Sequence, residues 1–364
     1  MIYLDYQATT PLAPEAREAM LRWLGGPDEA TFGNPHSPHR MGRMAAAAVE
    51  AAREQVAALL PPGGRVIFTS GATEALNLAL RGTTGDVLTF ATEHAAVLDC
   101  ARAVEAQARG FTVLPVLGDG RADCAALESA ITPQTGVIAA MAVNNEIGVI
   151  HPLDAVAAAA RQAGALLLVD AVQAAGKLAP PEGADLIAIS AHKLHGPKGI
   201  GALWVRDGVS LAPLMLGGGQ EEGLRSGTLS PALCAGFGAA ARIAGERREE
   251  DRAHVERLWN RARDAFAGWE LNGSAVHRWH GNLNLRKQGL DVARLMSDCR
   301  TVMFAAGSAC ASGSGRPSHV LKAIGLADAE AKSSIRLGFG RYTTMADLEA
   351  AATAIITAAR EQGI

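Results

Sequence analysis

Residues 185–201 read DLIAISAHKLHGPKGIG. Residues 185–189 have the length and apolar character of a buried strand, SAHK then gathers Ser190, His192 and Lys193 in a polar turn, and a Gly/Pro-rich loop follows with a second lysine, Lys198. An amine just past the end of a buried strand is well placed to act as a nucleophile, because burial disfavours the ammonium form and exposes a lone pair. A surface lysine after a strand is the ordinary alternative. The rest of the chain decides between them.

Working outward, further apolar strands are expected at 66–69, 87–90, 111–115, 137–143 and 165–169. Helical stretches separate them: 74–80, a helix opened by His94 and running to 109, and Ala-rich 153–163; another helix, 39–60, precedes them and stops at Pro61. Strands alternating with helices predict an α/β fold, a mostly parallel sheet covered on both faces. Before it come an extended start, a helix over 15–24 and a long loop, 25–38, dense in Gly, Pro, Asn and His. After it, a highly charged helix is expected over 246–267, then a smaller α+β region with a strand at 281–285. The division expected is a large domain, 15–250, and a small domain made of 1–14 and 251–364.

Composition narrows the function. The 364 residues are 49% hydrophobic and 20% charged, enough for a sizeable core. Lys plus Arg number 34 against 37 Asp plus Glu, and no basic stripe occurs, which argues against nucleic acid as a ligand. Five cysteines at irregular positions, 100, 124, 234, 299 and 310, suit a reducing, cytoplasmic compartment without disulfides or a permanent metal site. MIYLDYQATTPLAPEA lacks a basic start and an apolar run, so no signal peptide is expected, and Arg161 and Gln162 interrupt the one long apolar stretch, so no membrane span is expected either.

In open α/β sheets ligands sit beyond the carboxyl ends of the strands. After 66–69 comes Ser70-Gly71-Ala72-Thr73, where a helix start could hold a phosphate through the backbone near Ala72 and the Thr73 hydroxyl, or form an ordinary cap. After 87–90 comes His94, able to stack on an aromatic ring or move protons, or simply to be a polar loop residue. After 137–143 comes Asn144-Asn145-Glu146, whose amides could bond a phenolic oxygen or make a turn. Asp170 follows 165–169 and needs a cation, either an arginine or a protonated pyridine nitrogen. With Lys193 as Schiff-base amine, these strand ends together describe a site for pyridoxal 5'-phosphate.

The chain also resembles a known family, in YLDYQATTP, NPHSPHRMGR, FTSGATEALN, TEHAAVLD, MAVNNEIGVI, VDAVQAAGK, SAHKLHGPKGIGAL, GGGQEEGLRSGT, GSACASG, PSHVLKAIGL and SSIRLGFGR, in that order. It is similar to the cysteine desulfurases, the NifS/IscS-like branch of the class V aminotransferases, which are fold-type I enzymes dependent on pyridoxal phosphate. The resemblance implies that Lys193 binds the cofactor, His94 stacks on its ring, Asp170 meets the pyridine nitrogen, and Asn145 and Gln173 meet the phenolic oxygen. It implies a phosphate held by Ala72, Thr73, Ser190 and His192, with Thr228 reaching in from the other subunit of a homodimer. Arg336 and Asn145 would receive the carboxylate of L-cysteine.

Cys310, in AAGSACASGSG, is the one cysteine set among Gly, Ser and Ala without apolar periodicity, which predicts an exposed loop suited to a thiolate. Cys100 and Cys234 lie in helical, apolar patterns and are expected to be buried. The resemblance implies that Cys310 accepts sulfur as a persulfide, that alanine leaves, and that an iron–sulfur scaffold or sulfur-relay protein receives the sulfur, with Cys310 the position for any transient iron–sulfur cluster. Selenocysteine lysis or another β-elimination at the same site is the alternative reading; a non-catalytic scaffold is disfavoured because every catalytic position is filled. Three departures stand out: DYQATT where many members have a second Asn or Ala, Glu222 where Arg is usual, and LGFG after Arg336 in place of LSLG.

Overall fold

The structure is a computed structural model, and it describes residues 1–307 and 317–364. The apolar segments of the first two thirds form a seven-stranded sheet: β1 (Gly64–Thr69), β2 (Asp86–Phe90), β3 (Phe111–Leu114), β4 (Thr135–Met141), β5 (Leu166–Asp170), β6 (Leu186–Ser190) and β7 (Gly201–Arg206). Their order is β1-β7-β6-β5-β4-β2-β3. Only β7 opposes the rest, pairing antiparallel with β1 and β6. The sequence did not mark this strand. The loop 191–200 between β6 and β7 is too short for a crossover helix, so the chain turns back on itself and the pair is antiparallel.

Successive side chains of a strand point to opposite faces, and this alternation supplies two cores. Ile138 and Ala140 of β4, Leu167 and Val169 of β5, and Ile187 and Ile189 of β6 join one apolar cluster. Val137 and Ala139, Leu168, and Leu186 and Ala188 join another on the far side. Strands buried on both faces need helices on both. Arg40–Ala57 and Leu153–Ala163 contribute Val49, Val56 and Val156 to the first cluster, while Ala72–Gly82 contributes Leu76, Leu78 and Leu80 to the second.

Several boundaries moved. His39 and His94 are not helical but cap the helices that follow: His39 Nδ1 accepts from the Gly42 N–H (3.2 Å) and His94 Nδ1 from the Ala96 N–H (3.1 Å). The helix after His94 ends at Ala103 and tightens into a 3-10 turn, Val104–Gln107, so it does not reach residue 109. The charged helix is Arg248–Ala265, and Arg247 separates it from a buried Ala/Gly-rich helix, Pro231–Glu246.

A second, antiparallel sheet joins β8 (Glu270–Leu271), β9 (Asn282–Arg286), β10 (Ala305–Ala306) and β11 (Ser334–Gly338), in the order β10-β11-β9-β8. The chain's start is laid against it. Ile2–Tyr3 pairs with Val302–Met303, and the Gly338 N–H donates to the Leu4 carbonyl at 2.7 Å.

Candidate active site

The carboxyl ends of the parallel strands open into a cavity of about 450 Å³. Ser190, His192 and Lys193 enter it from the turn after β6, Asp170 and Gln173 from the end of β5, Asn145 from beyond β4, and His94 from beyond β2. Ala72 and Thr73 line it from the first turn of the helix after β1. Arg336 comes from β11 of the other sheet. The Lys193 amine donates to the carbonyls of Gln7 (2.5 Å) and Ala8 (2.8 Å). Arg336, 1% exposed, donates to the Asp5 carboxylate (2.6 Å) and the Asn145 carbonyl (3.1 Å).

Burial dominates the electrostatics. It pushes His94 below its ordinary value, and the Ala96 N–H already occupies Nδ1, so the neutral ring carries its proton on Nε2. His192, whose Nδ1 meets the Thr9 hydroxyl at 3.1 Å, is pushed down to about 4 by burial and then by the positive charge of Lys193. Burial raises the Asp170 carboxyl, while the Val172 N–H (2.9 Å) and the charges of His94 and Lys193 draw it back. Behind it lies Glu93, fully buried, held well above the carboxylate range by burial and by Asp170's negative charge. Among the described residues Glu93 accepts only the Met141 N–H (2.7 Å), and its burial beside Asp170 favours the protonated form.

The chain matches the aminotransferase class-V family over residues 2–351. It belongs to that family. It is 43% identical to the mitochondrial cysteine desulfurase of Eremothecium gossypii over 96% of this chain and 74% of that protein, and 42% identical to cysteine desulfurase IscS of Rickettsia bellii over 96% and 88%. It superimposes on the solved structure of a NifS-like protein with a TM-score of 0.89 at 30% identity, covering 97% of this chain and 98% of that one.

The fold of this class V aminotransferase therefore brings together every cofactor-site position named from the sequence except Thr228, which is exposed and does not line the cavity. Cys310 lies outside the described residues. The cysteines within them offer no substitute: burial raises the thiols of Cys100, Cys124 and Cys299, and that of Cys234 to about 12, and none lines the cavity. Among the described residues no group of three or more His, Cys, Asp or Glu side chains could hold a metal ion.

The residues present suit pyridoxal phosphate. The helix Ala72–Gly82 starts without a side-chain cap, and a Cβ at Gly71 would meet open space, so first-turn N–H groups are left for an anion. Asp170 is a buried carboxylate that accepts the Val172 N–H, and a protonated pyridine nitrogen would suit it as a cation. Gln173 spends one Nε2 hydrogen on the Gln7 carbonyl (3.0 Å) and has a second to give. The turn NNE divides by function: Asn145 faces the cavity, whereas Asn144 ties the loop together, accepting the Glu146 and Ile147 N–H groups and donating to the Thr92 carbonyl. Lys198, the second lysine of the loop after β6, lines the same cavity. Sequence reasoning missed Asp5, Gln7, Ala8 and Thr9. Their signal was the polar ATT run in an extended start, but only tertiary contact gives it meaning.

Proposed function

We propose that this chain is a pyridoxal phosphate-dependent cysteine desulfurase, converting L-cysteine to L-alanine and leaving the sulfur as a persulfide on Cys310. The observation that carries the reading is the convergence of the Lys193 amine, the Asp170 carboxylate and the Arg336 guanidinium on one cavity, in a chain that is similar along nearly its whole length to proteins named cysteine desulfurase.

When bound through Lys193, the cofactor supplies an electron sink for the carbanion formed at the substrate's α-carbon. The Asp170 carboxylate would supply the negative charge that keeps such a ring protonated. Ala72, Thr73, Ser190 and His192 would hold the phosphate, and Asn145 and Gln173 the phenolic oxygen. Arg336 keeps donors beyond those given to Asp5 and Asn145, and these bind the substrate carboxylate. Once the substrate's own amine has taken its place, the released Lys193 amine, steadied by the Gln7 and Ala8 carbonyls, would take the α-proton. His94, which lines the cavity, would lie against the ring and hold or move a proton at Nε2. The substrate's C–S bond breaks as a sulfur–sulfur bond forms at Cys310, so no outside oxidant is needed.

We place the enzyme in the cytoplasm as a homodimer that hands sulfur to an iron–sulfur scaffold or relay protein, with a large domain of 15–250 and a small domain of 1–14 and 251–364. Cysteine usage supports the compartment, and the position of Thr228 away from its own cavity supports the dimer. No helix among the described residues is long and apolar enough to cross a membrane.

Purified protein should absorb in the visible, Lys193→Ala should lose that absorbance and lower kcat by about a thousandfold or more, and Cys310→Ala should keep it but lose sulfur transfer. A colourless wild type, or sulfur transfer that survives Cys310→Ala, would overturn the proposal.

A further inference from the structure

Gln7 touches both halves of the site. Its main-chain carbonyl accepts hydrogen bonds from the Lys193 amine (2.5 Å) and the Gln173 amide (3.0 Å). Its side chain, 4% exposed, points the other way into the second sheet, where Nε2 donates to the Gly281 carbonyl at 2.7 Å, at the start of β9. Oε1 has no hydrogen-bond partner among the described residues. It lies instead against Gly338, the last residue of β11: a Cβ built on Gly338 would stand 1.8 Å from Gln7 Oε1 and 2.8 Å from its Cδ. Gly338 is two residues from Arg336 on the same strand, and Asp5, two residues before Gln7, both bridges to Gly338 and pairs with Arg336. Any side chain at 338 must therefore displace either the Gln7 amide or the end of the strand that carries Arg336.

We propose that Gln7 and Gly338 are a matched pair that positions the substrate-binding arginine against the cofactor lysine: the Gln7 amide fills the space a side chain at 338 would occupy, and the same residue's carbonyl holds the Lys193 amine. Gln7 is a positioning residue, acting through Lys193 and through the strand of Arg336. The pair accounts for the LGFG departure after Arg336, because a serine in place of Gly338 has no room while Gln7 stands beside it. The inference rests on the proposed desulfurase reading and adds how that site keeps its two halves in register.

The test compares Gly338→Ser, Gln7→Ser and the double variant, each loaded with cofactor. Three quantities are read: KM and kcat for L-cysteine, the pH at which the visible absorbance of the Lys193-bound cofactor changes, and the thermal midpoint. Gly338→Ser should raise KM about tenfold and move the absorbance titration, since contacting residues couple on this scale. Gln7→Ser leaves the two carbonyl acceptors on a backbone no longer anchored at Gly281, and should shift the same two readouts. The double variant should bring KM back from the Gly338→Ser value toward that of Gln7→Ser alone, because removing the amide makes room for the hydroxymethyl group that Gly338→Ser introduces; the Tyr6 main-chain nitrogen, 2.9 Å from a Cβ at 338, must still move, which keeps the recovery partial. Effects that add in the double variant, or variants that lower the thermal midpoint while KM and the absorbance titration stay at wild-type values, would overturn the pairing. If Gly338→Ser does not fold, Gln7→Ser alone decides, and an unchanged KM and titration reject the role. A wild type without visible absorbance would instead reject the desulfurase reading itself.

Discussion

His151 stacks on Phe90, ring centroids 6.4 Å apart, and its Nδ1 accepts the Ala122 N–H at 3.0 Å. Burial pushes it down to about 4 from an ordinary value near 6.5. Between those values the unfolded chain binds a proton that the folded chain refuses. The stability that neutral His151 contributes is therefore complete above about pH 6.5 and lost as pH falls toward 4, with an upper bound of about 3 kcal/mol. Asparagine can still accept the Ala122 N–H but does not titrate. The gap in urea midpoint between wild type and His151→Asn should shrink as pH falls from about 7 to about 4.5; a gap that stays constant would show that the ring is not the titrating group. Glu93 has the opposite sign: its raised carboxyl contributes most at low pH and loses that contribution as pH rises through the folded value.

At the scale of an element, the turn Glu221–Gly223 holds the segment leading to Thr228. Glu221 and Glu222 are consecutive residues at positive φ, 48° and 56°, a backbone region that non-glycine residues seldom occupy. What holds them is the Glu221 carboxylate, buried and accepting from Arg53 (2.7 and 2.8 Å) and from the Phe68 N–H of β1 (2.7 Å). Glu222, where Arg is usual in the resemblance, makes only a surface pair with Arg65 among the described residues. The two neighbours should then differ sharply. Glu221→Ala leaves the Phe68 N–H without its partner and Arg53 with only Glu50 and the Val66 carbonyl among the described residues, and should cost about 2 kcal/mol, whereas Glu222→Ala should fall within about 0.5 kcal/mol. Urea unfolding measures both; equal effects would mean that the turn is held by something other than the Glu221 carboxylate.

At the scale of the whole molecule, Thr228 is exposed and does not line its own chain's cavity, so its proposed part in holding the phosphate requires the proposed homodimer. Sedimentation should show two chains in the holoenzyme, and Thr228→Ala should weaken cofactor binding about tenfold, the loss of one hydrogen bond to a charged group, with the dimer intact. A monomeric holoenzyme would remove Thr228 from the site. The N-terminal strap matters at this scale too, since Asp5, Gln7, Ala8 and Thr9 reach Arg336, Lys193 and His192 across both sheets.

The local pattern was enough for most of the sheet and for the polar strand ends that line the cavity, because a strand buried on both faces must be apolar along its length and can be polar only where it ends. Lys193, Asp170, His94 and Asn145 were legible for that reason. Strand β7 was not, since its Gly-rich approach reads as loop and its place in the sheet comes from pairing with β1 and β6. Nor could spacing reveal that Gln7 holds Lys193, that Lys198 joins the cavity, that Asn144 and Asn145 do different work, or that Glu93 stands behind Asp170. Those are contacts between residues as much as 186 positions apart. Only the packing of one sheet against the other decides them, because hydrogen bonds and steric fit depend on distance in space and leave no period in the chain.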